Sequence, residues 1–241
     1  LGSPLYGRPN QEIVRTYEGN PISTFYGWRA DGLFQTQAEI DSHAAQPGAV
    51  PGDVRFIDIN NDNVIDDKDR EIIGSPHPKM TYGINASANY KGFDLTMFFL
   101  GVAGVEIYNA DRMQGLDASY PFNLYSDITG RWTGPGTSND IPRVSTLRTN
   151  LNHRTSDLFI EKGDFLRLKN LTVGYTIASD LTDKIGLSRL RFYVTGQNVF
   201  TVTGYSGYDP ELGITDGNQL NVDYAQYPQA RTFLLGANIG F

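Results

Sequence analysis

Apolar and polar residues alternate with a period of two along several segments, which is the pattern of β-strands with two different faces. The clearest segment is C-terminal, where one face holds Phe233, Leu235, Ala237, Ile239 and Phe241. The same alternation predicts strands over residues 165–177 and 190–202, and a hairpin over residues 79–104 that turns at Lys91-Gly92. Weaker patterns predict a strand over residues 23–34 and another over 11–17. The chain is therefore predicted to be all-β, with six or seven strands.

The connections between these strands alternate in length. Those near residues 90–93 and 178–188 are short, whereas those over 35–78, 105–164 and 204–229 are long. If successive strands are antiparallel, all the short turns lie at one end of the sheet and all the long loops at the other. Outer-membrane barrels place their periplasmic turns and extracellular loops in this way. A closed barrel needs at least about eight strands, so we expect this chain to be part of a larger one.

Within each predicted strand, the polar side chains at alternate positions would face the barrel lumen, and the apolar side chains between them would face lipid. Asn85, Tyr193 and Gln197 belong to the predicted lumen wall. The alternative fold is a soluble β-sandwich, which shows the same alternation but rarely has its long loops at one end only.

Composition narrows the possible functions. The 241 residues include 20 Lys and Arg against 27 Asp and Glu, a net charge of −7, which argues against nucleic acid as a partner. There is no cysteine, which excludes disulfides and cysteine nucleophiles. The most apolar stretch, residues 97–105, is too short for a membrane helix. The sequence opens without a signal peptide, so we expect any targeting segment to lie outside it.

One loop has the spacing of a calcium site. Side-chain oxygens occupy positions one, three, five, nine and twelve, and the backbone carbonyl of position seven completes the set: Asp58, Asn60, Asp62, Val64, Asp66 and Asp69. Asn63 takes the sharp-turn position usually filled by glycine, and Asp69 is shorter than the usual glutamate. We expect a structural calcium ion, because its ligands would leave no free base or nucleophile. The alternative is a solvated loop of Asx turns without an ion.

Other candidate groups are weaker. Residues 153–157 contain histidine, serine and aspartate, but neighbours in sequence do not make a catalytic triad, so we predict no catalytic residues and no organic cofactor. Loop aromatic residues are candidates for stacking on a sugar or a peptide, with loop packing and membrane anchoring as the alternatives. The candidate substrate-binding residues among them are Tyr120, Trp132 and Tyr208, beside Tyr108 and Tyr205.

A series of short segments resembles the SusC/RagA-type TonB-dependent transporters of the Bacteroidetes outer membrane. The segments lie in order along the whole chain: EGNPISTFYG at residues 18–27, GLFQ at 32–35, PGD at 51–53, FIEKGDFLRLKNLTVGY at 159–175, GQNVFT at 196–201, GYDPE at 207–211 and YPQARTF at 227–233. An ordered series is more specific than any single motif. The acidic loop departs from the commoner form of the family, in which glycine follows the third acidic position.

The resemblance implies the C-terminal strands of a large antiparallel transmembrane β-barrel with long extracellular loops. It also implies active import of nutrients such as oligosaccharides or oligopeptides, together with a SusD-like surface lipoprotein and energy from the TonB complex. The plug and the TonB-contacting segment of the family have no counterpart here, so we expect them outside this sequence. Two other classes stay open: a secreted, calcium-dependent glycan-binding β-sandwich, and a passive porin.

Overall fold

The computed structural model describes residues 12–119, 123–147, 149–216 and 219–241. These residues form two compact units. The meander unit consists of His77–Val105, Lys162–Glu211 and Tyr227–Phe241. The loop unit contains the described residues of Leu1–Pro76, Glu106–Glu161 and Leu212–Gln226.

Strands dominate the described chain, and the helices are short. The strands are β1 (Val14–Arg15), β2 (Thr24–Gly27), β3 (Ala30–Leu33), β4 (Val54–Phe56), β5 (Glu71–Gly74), β6 (Met80–Tyr90), β7 (Phe93–Ala103), β8 (Glu106–Asn109), β9 (Ile160–Lys162), β10 (Phe165–Thr176), β11 (Arg189–Thr203), β12 (Ile214–Asp216), β13 (Gln219–Leu220), β14 (Val222–Asp223) and β15 (Thr232–Gly240). The α-helices are α1 (Gln37–Asp41), α2 (Ala110–Gly115) and α3 (Ser179–Thr182). The 3-10 helices are Asp67–Asp69, Ser126–Gly130, Asp157–Phe159 and Asp183–Ile185. Within the described ranges, no helix is both long and apolar enough to cross a membrane.

The meander unit is built on one antiparallel sheet of five strands, in the order β15-β11-β10-β7-β6. Lys91 and Gly92, with φ of 46° and 85°, form the tight turn between β6 and β7, as a two-residue hairpin requires. A short helical connection joins β10 to β11 at the same end of the sheet. The long connections leave from the opposite end. The predicted hairpin and the predicted separation of short turns from long connections are confirmed.

The two faces of this sheet differ as the alternation predicted. Apolar side chains on one face of β11 and β15 are exposed: Phe192, Val194, Phe200, Phe233, Leu235 and Ile239. On the other face Thr172 and Thr195 share a hydrogen bond of 2.9 Å across β10 and β11. A soluble sheet would bury its apolar face and expose its polar one. The exposed apolar face is that of a sheet that meets lipid.

A β-bulge interrupts the predicted alternation along β10. The register shifts between Leu168 and Asn170 against both neighbouring strands. As a result Arg167 pairs with Thr201, and Thr172 pairs with Thr195. Both threonines of β11 belong to its polar face, although Arg167 is an odd-numbered and Thr172 an even-numbered position of β10. An extra residue in a strand moves the following side chains to the other face. The alternation predicted for residues 170–177 therefore does not continue through Lys169 to the start of β10.

Arg167 ties the long connection after β11 to the sheet. Its guanidinium donates hydrogen bonds to Thr201 Oγ1 at 2.7 Å, to Glu211 Oε2 at 2.6 Å and to Asp209 Oδ1. Lys169 Nζ also donates to Glu211, at 2.7 Å. The Arg167 side chain is 3% exposed and that of Asp209 is 7% exposed, so this ion pair is shielded from water.

The long connections that the sequence predicted as loops supply most of a second compact unit with its own apolar packing. One buried cluster includes Ile13, Phe25, Tyr108 and Met113, and a second contains Leu33, Val54, Phe56 and Ile65. The predicted strand over residues 23–34 is divided here, because β2 pairs with β1 and β5 whereas β3 pairs with β4. The predicted strand over residues 11–17 is the short β1. Neither segment belongs to the five-stranded sheet.

A contact with a distant part of the chain divides the segment at Gly27. The amide of Trp28 donates to the carbonyl of Thr155 at 3.0 Å, which brings two backbone segments together. A Cβ on Gly27 would lie 2.2 Å from that carbonyl oxygen. Only glycine fits this close approach, and β2 ends there.

Substituting a lipid-facing residue tests the assignment of faces. Val194→Arg should destabilise the receptor by about 2–4 kcal/mol near the membrane midplane, because it places a charge in hydrocarbon. Gln197→Arg, three residues away on the predicted lumen side, is the matched control and should cost far less. Denaturant-dependent folding into lipid vesicles measures both changes. Equal damage from both, or greater damage from Gln197→Arg, would contradict the assignment.

Removing the buried cation tests the anchoring of the connection after β11. Arg167→Met should cost about 3–5 kcal/mol, because it leaves the Asp209 carboxylate buried without its guanidinium. Arg189→Met, at an exposed arginine at the start of the neighbouring strand β11, should be nearly neutral. Thermal unfolding gives the stability, and limited proteolysis after residue 203 reports release of the connection. A connection that stays protected in Arg167→Met would show that other contacts hold it.

Candidate functional site

The predicted calcium loop lies between β4 and β5 and is closed by Asp69. This carboxylate is fully buried, and it accepts hydrogen bonds from the amides of Ile59 at 3.0 Å and Asp66 at 2.8 Å. Asp66 caps the Asp67–Asp69 helix by accepting from the Lys68 amide at 2.7 Å. The last predicted ligand thus joins both ends of the loop.

Side-chain oxygens in the first half of the loop also accept from backbone amides. Asp58 Oδ2 accepts from Asn63 at 2.7 Å, Asn60 Oδ1 from Asp62 at 2.9 Å, and Asp62 Oδ1 from Val64 at 3.1 Å. Asn63 has a φ of 64°, so the predicted left-handed turn at this position is confirmed. These contacts hold the oxygens in a compact loop.

A lysine lies beside two of the predicted ligands. Lys68 Nζ is 3.5 Å from Asp62 Oδ2 and 3.6 Å from Asp66 Oδ2. Asp66, followed by Asp62, raises the pKa of Lys68, while a hydrogen bond from Asn60 is the largest cause that lowers the pKa of Asp62. The donor set is the hard-oxygen set that calcium prefers, and the ammonium is a competitor for it. Across the described parts of the chain, no three His, Cys, Asp or Glu side chains converge as a metal cluster.

The aromatic candidates have different surroundings. The Trp132 ring packs on Gly52, and its Nε1 donates to Gln35 Oε1 at 3.0 Å, so this residue contributes to packing of the loop unit. Tyr208, in the meander unit, is 69% exposed and presents its ring to solvent. Tyr108 and Tyr205 are buried. Tyr120 lies outside the described residues.

Residues 153–157 do not form a triad. His153 Nδ1 lies 3.7 Å from Asp117 Oδ1, while Asp157 accepts from the Ala30 amide at 2.9 Å. Burial is the main cause that raises the pKa of Asp157. The hydroxyl of Ser156 is fully buried, and the residues that the structure describes offer it no hydrogen-bond partner.

A stack of arginine and aromatic side chains that the sequence did not predict lies beside the acidic loop of residues 58–69. Arg15 lies 3.5 Å from the ring centroid of Tyr26, and Arg70 lies 4.7 Å from Tyr26 and 4.9 Å from Trp28. Arg154 follows, 5.0 Å from Trp28 and 4.5 Å from Phe56. Trp28 Nε1 donates to the Asp66 carbonyl at 2.9 Å, so the stack contacts the calcium loop directly. Tyr26 and Trp28 at alternate positions were the only signal in the sequence.

Similarity to known proteins extends over nearly the whole chain. It is 35% identical over 238 residues to TonB-dependent receptor P3 of Formosa agariphila, covering 95% of this chain and 23% of that protein. It is 29% identical over 246 residues to TonB-dependent receptor P26 of the same organism, covering 98% of this chain and 24% of that protein. To TonB-dependent receptor SusC of Bacteroides thetaiotaomicron it is 26% identical over 245 residues, covering 99% of this chain and 22% of that protein. No family model matches.

Solved structures give the same fold. A structure of the RagAB peptide transporter superposes with a TM-score of 0.73 at 24% identity, over 98% of this chain and 24% of the matched chain. A RagAB peptide importer in the closed-closed state gives 0.70 at 24% identity, over 98% of this chain and 25% of the matched chain. The chain spans about a quarter of the length of the relatives it matches. With its one-sided loops and exposed apolar face, the chain corresponds to part of an outer-membrane TonB-dependent receptor of the SusC/RagA type.

Proposed function

We propose that this chain is part of an active importer that takes oligosaccharides or oligopeptides across the outer membrane. The observation that carries the proposal is the five-stranded meander with an exposed apolar face, in a chain similar to TonB-dependent receptors over 95% of its length. Such receptors are transport proteins, so we propose transport without catalysis. In this role the polar face of the meander, including Tyr193 and Gln197, lines the lumen.

The importer works with a SusD-like surface lipoprotein and is energised by the TonB complex. Similarity to the RagAB peptide transporter and to the TonB-dependent receptor SusC supports this proposal. The long connections would meet the lipoprotein and help to shape the substrate chamber. We propose either oligopeptides or oligosaccharides as substrates, since transport of peptides is known here for RagAB and not for this chain.

The two competing classes of protein, a β-sandwich and a passive porin, fit the structure and the similar proteins less well. A β-sandwich needs a second sheet packed on the apolar face, whereas the described part of the meander unit has one five-stranded sheet whose apolar side chains are exposed. A passive porin would share a barrel but would need no energy coupling. Similarity to TonB-dependent receptors favours the energised importer.

Uptake by the native host tests the import proposal. We expect deletion of the gene to abolish uptake of one class in a panel of fluorescent oligosaccharides and oligopeptides, and complementation to restore it. Dissipating the proton gradient should stop uptake but leave surface binding intact, because TonB supplies the energy. A tagged receptor should co-purify a surface lipoprotein in detergent. Uptake that continues without the proton gradient would favour the porin, and unchanged uptake in the deletion strain would contradict import by this protein.

We further propose that residues 58–69 bind a structural calcium ion through Asp58, Asn60, Asp62, the Val64 carbonyl, Asp66 and Asp69. Asp58→Asn should weaken calcium binding about tenfold or more, because calcium affinity depends on the charge of its ligands. Lys68→Gln should strengthen it, because this change removes the ammonium that lies beside Asp62 and Asp66. Isothermal titration of the chelator-treated receptor in detergent measures both changes.

Asp41→Asn is the matched control, because this exposed carboxylate lies in the same unit and accepts a hydrogen bond only from Gln37. Its calcium affinity should equal that of the unmodified receptor. Calcium should also raise the melting temperature of the unmodified receptor and protect residues 58–69 from proteolysis. Identical titrations for Asp58→Asn and Asp41→Asn would show that this loop binds no calcium.

A further inference from the structure

The loop unit contains a cavity of about 550 Å³. Asp66 and Asp67 of the loop at residues 58–69 line part of it, and the other lining residues lie outside that loop. Three arginines line it, together with acidic and amide side chains from distant parts of the sequence. The cationic residues are Arg70, Arg143 and Arg154. Cavities of this volume hold small-molecule ligands in proteins.

Two of the three arginines are neutralised within the wall. Arg70 Nη2 lies 3.1 Å from Glu12 Oε2, and Arg143 Nε lies 2.7 Å from Asp53 Oδ1. Arg154 differs, because its hydrogen bonds go to the backbone carbonyls of Asn150 at 2.8 Å and Leu151 at 3.4 Å. Among the residues that the structure describes, no carboxylate lies within ion-pair distance of its guanidinium. The cavity wall therefore holds a cation without a counter-ion.

Burial destabilises the charged form of Arg154, because no counter-ion compensates it. Burial lowers the pKa of Arg154 to about 10, and the charge of Asp67 opposes this effect only in part. The rings of Trp28 and Phe56 lie against the guanidinium and fix its position. A guanidinium held against aromatic rings still presents N–H groups at its edge, which suits a planar, two-oxygen acceptor.

The neighbouring backbone is held in an unfavourable conformation. Leu151 has a φ of 53°, in the left-handed region that a bulky side chain rarely adopts. The buried amides of Asn150 and Asn152 fix this segment through hydrogen bonds to the Val54 carbonyl and Asp53 Oδ1. Strained backbone that is held in place by its surroundings is typical of binding sites.

We propose that this cavity binds a carboxylate group, with Arg154 as its cationic partner. A carboxylate is favoured over a phosphate dianion because Asp67 and Asp117, which are not among the proposed calcium ligands, also line the cavity and repel a second negative charge. The carboxylate belongs to an acidic ligand, such as a uronic acid or the terminus of a peptide, or to an Asp or Glu of the remainder of the receptor. The proposal concerns binding and does not depend on import.

Paired probes that differ only in the carboxylate test this site in the complete receptor in detergent. The pairs are glucuronate with glucose, and an N-acetyl dipeptide with its C-terminal amide. Isothermal titration should detect the carboxylate member of at least one pair. Arg154→Gln should weaken that binding about tenfold or more, and Arg154→Lys should retain part of it. The control is Arg131→Gln, an arginine of the loop unit outside the cavity wall, which should bind as the unmodified receptor does.

The outcomes separate the two sources of the carboxylate. Binding of a free carboxylate that is lost in Arg154→Gln identifies an external ligand. If no probe binds, but Arg154→Gln lowers the melting temperature well below that of Arg131→Gln and Arg154→Lys restores it, the carboxylate belongs to the receptor itself. Equal probe binding in Arg154→Gln and the unmodified receptor, or no binding and no difference in melting temperature, overturns the proposal.

Discussion

Strand pairing in lipid is the constraint on which the rest of this structure depends. Hydrocarbon offers no hydrogen-bond partner to a backbone amide or carbonyl, so a sheet with a lipid-facing surface must pair both edges of every strand. Here β7, β10 and β11 have two neighbours each, whereas β6 and β15 have one among the described residues. The free edges of β6 and β15 must therefore pair with other strands of the receptor. This requirement explains why a chain with such regular strands fits a segment of a larger barrel.

The long connections of the loop unit lack the regular backbone hydrogen bonding of a large sheet. A network of buried amide side chains forms hydrogen bonds with their backbone instead. Gln46 donates to Val54 O at 2.7 Å and to Asn150 Oδ1 at 2.7 Å, and it accepts from the Phe56 amide at 3.0 Å. The Val54 amide donates to Asn152 Oδ1 at 3.0 Å. The network joins segments about a hundred residues apart and satisfies their buried backbone groups. It also forms part of the wall in which Arg154 lies.

The sequence was sufficient to predict features that depend on local periodicity. The faces of β11 and β15, the turn at Lys91-Gly92 and the asymmetry of connection lengths all follow from residues close together in the chain. The left-handed conformation of Asn63 follows from its place in a loop of known spacing. The resemblance to SusC/RagA transporters rested on ordered motifs and agrees with the relatives found.

Features that depend on distant contacts could not be predicted. The close approach of Gly27 to Thr155 and the bond from the Ala30 amide to Asp157, 127 residues away, divide a segment that looked like one strand. The environment of Arg154 depends on Trp28 and Phe56, which lie on separate parts of the chain. Its lack of a counter-ion is a property of the assembled cavity.

Site-directed spin labelling along residues 192–197 in native outer membranes would show whether one face of the meander meets lipid. Single cysteines can be introduced at each position, since this sequence has none of its own. We expect oxygen, which concentrates in lipid, to relax labels at 192 and 194 more strongly than labels at 193 and 195. A water-soluble nickel complex should not reach the labels at 192 and 194. Equal access of the nickel complex to all positions would place both faces of the sheet in water and rule out a lipid-facing side.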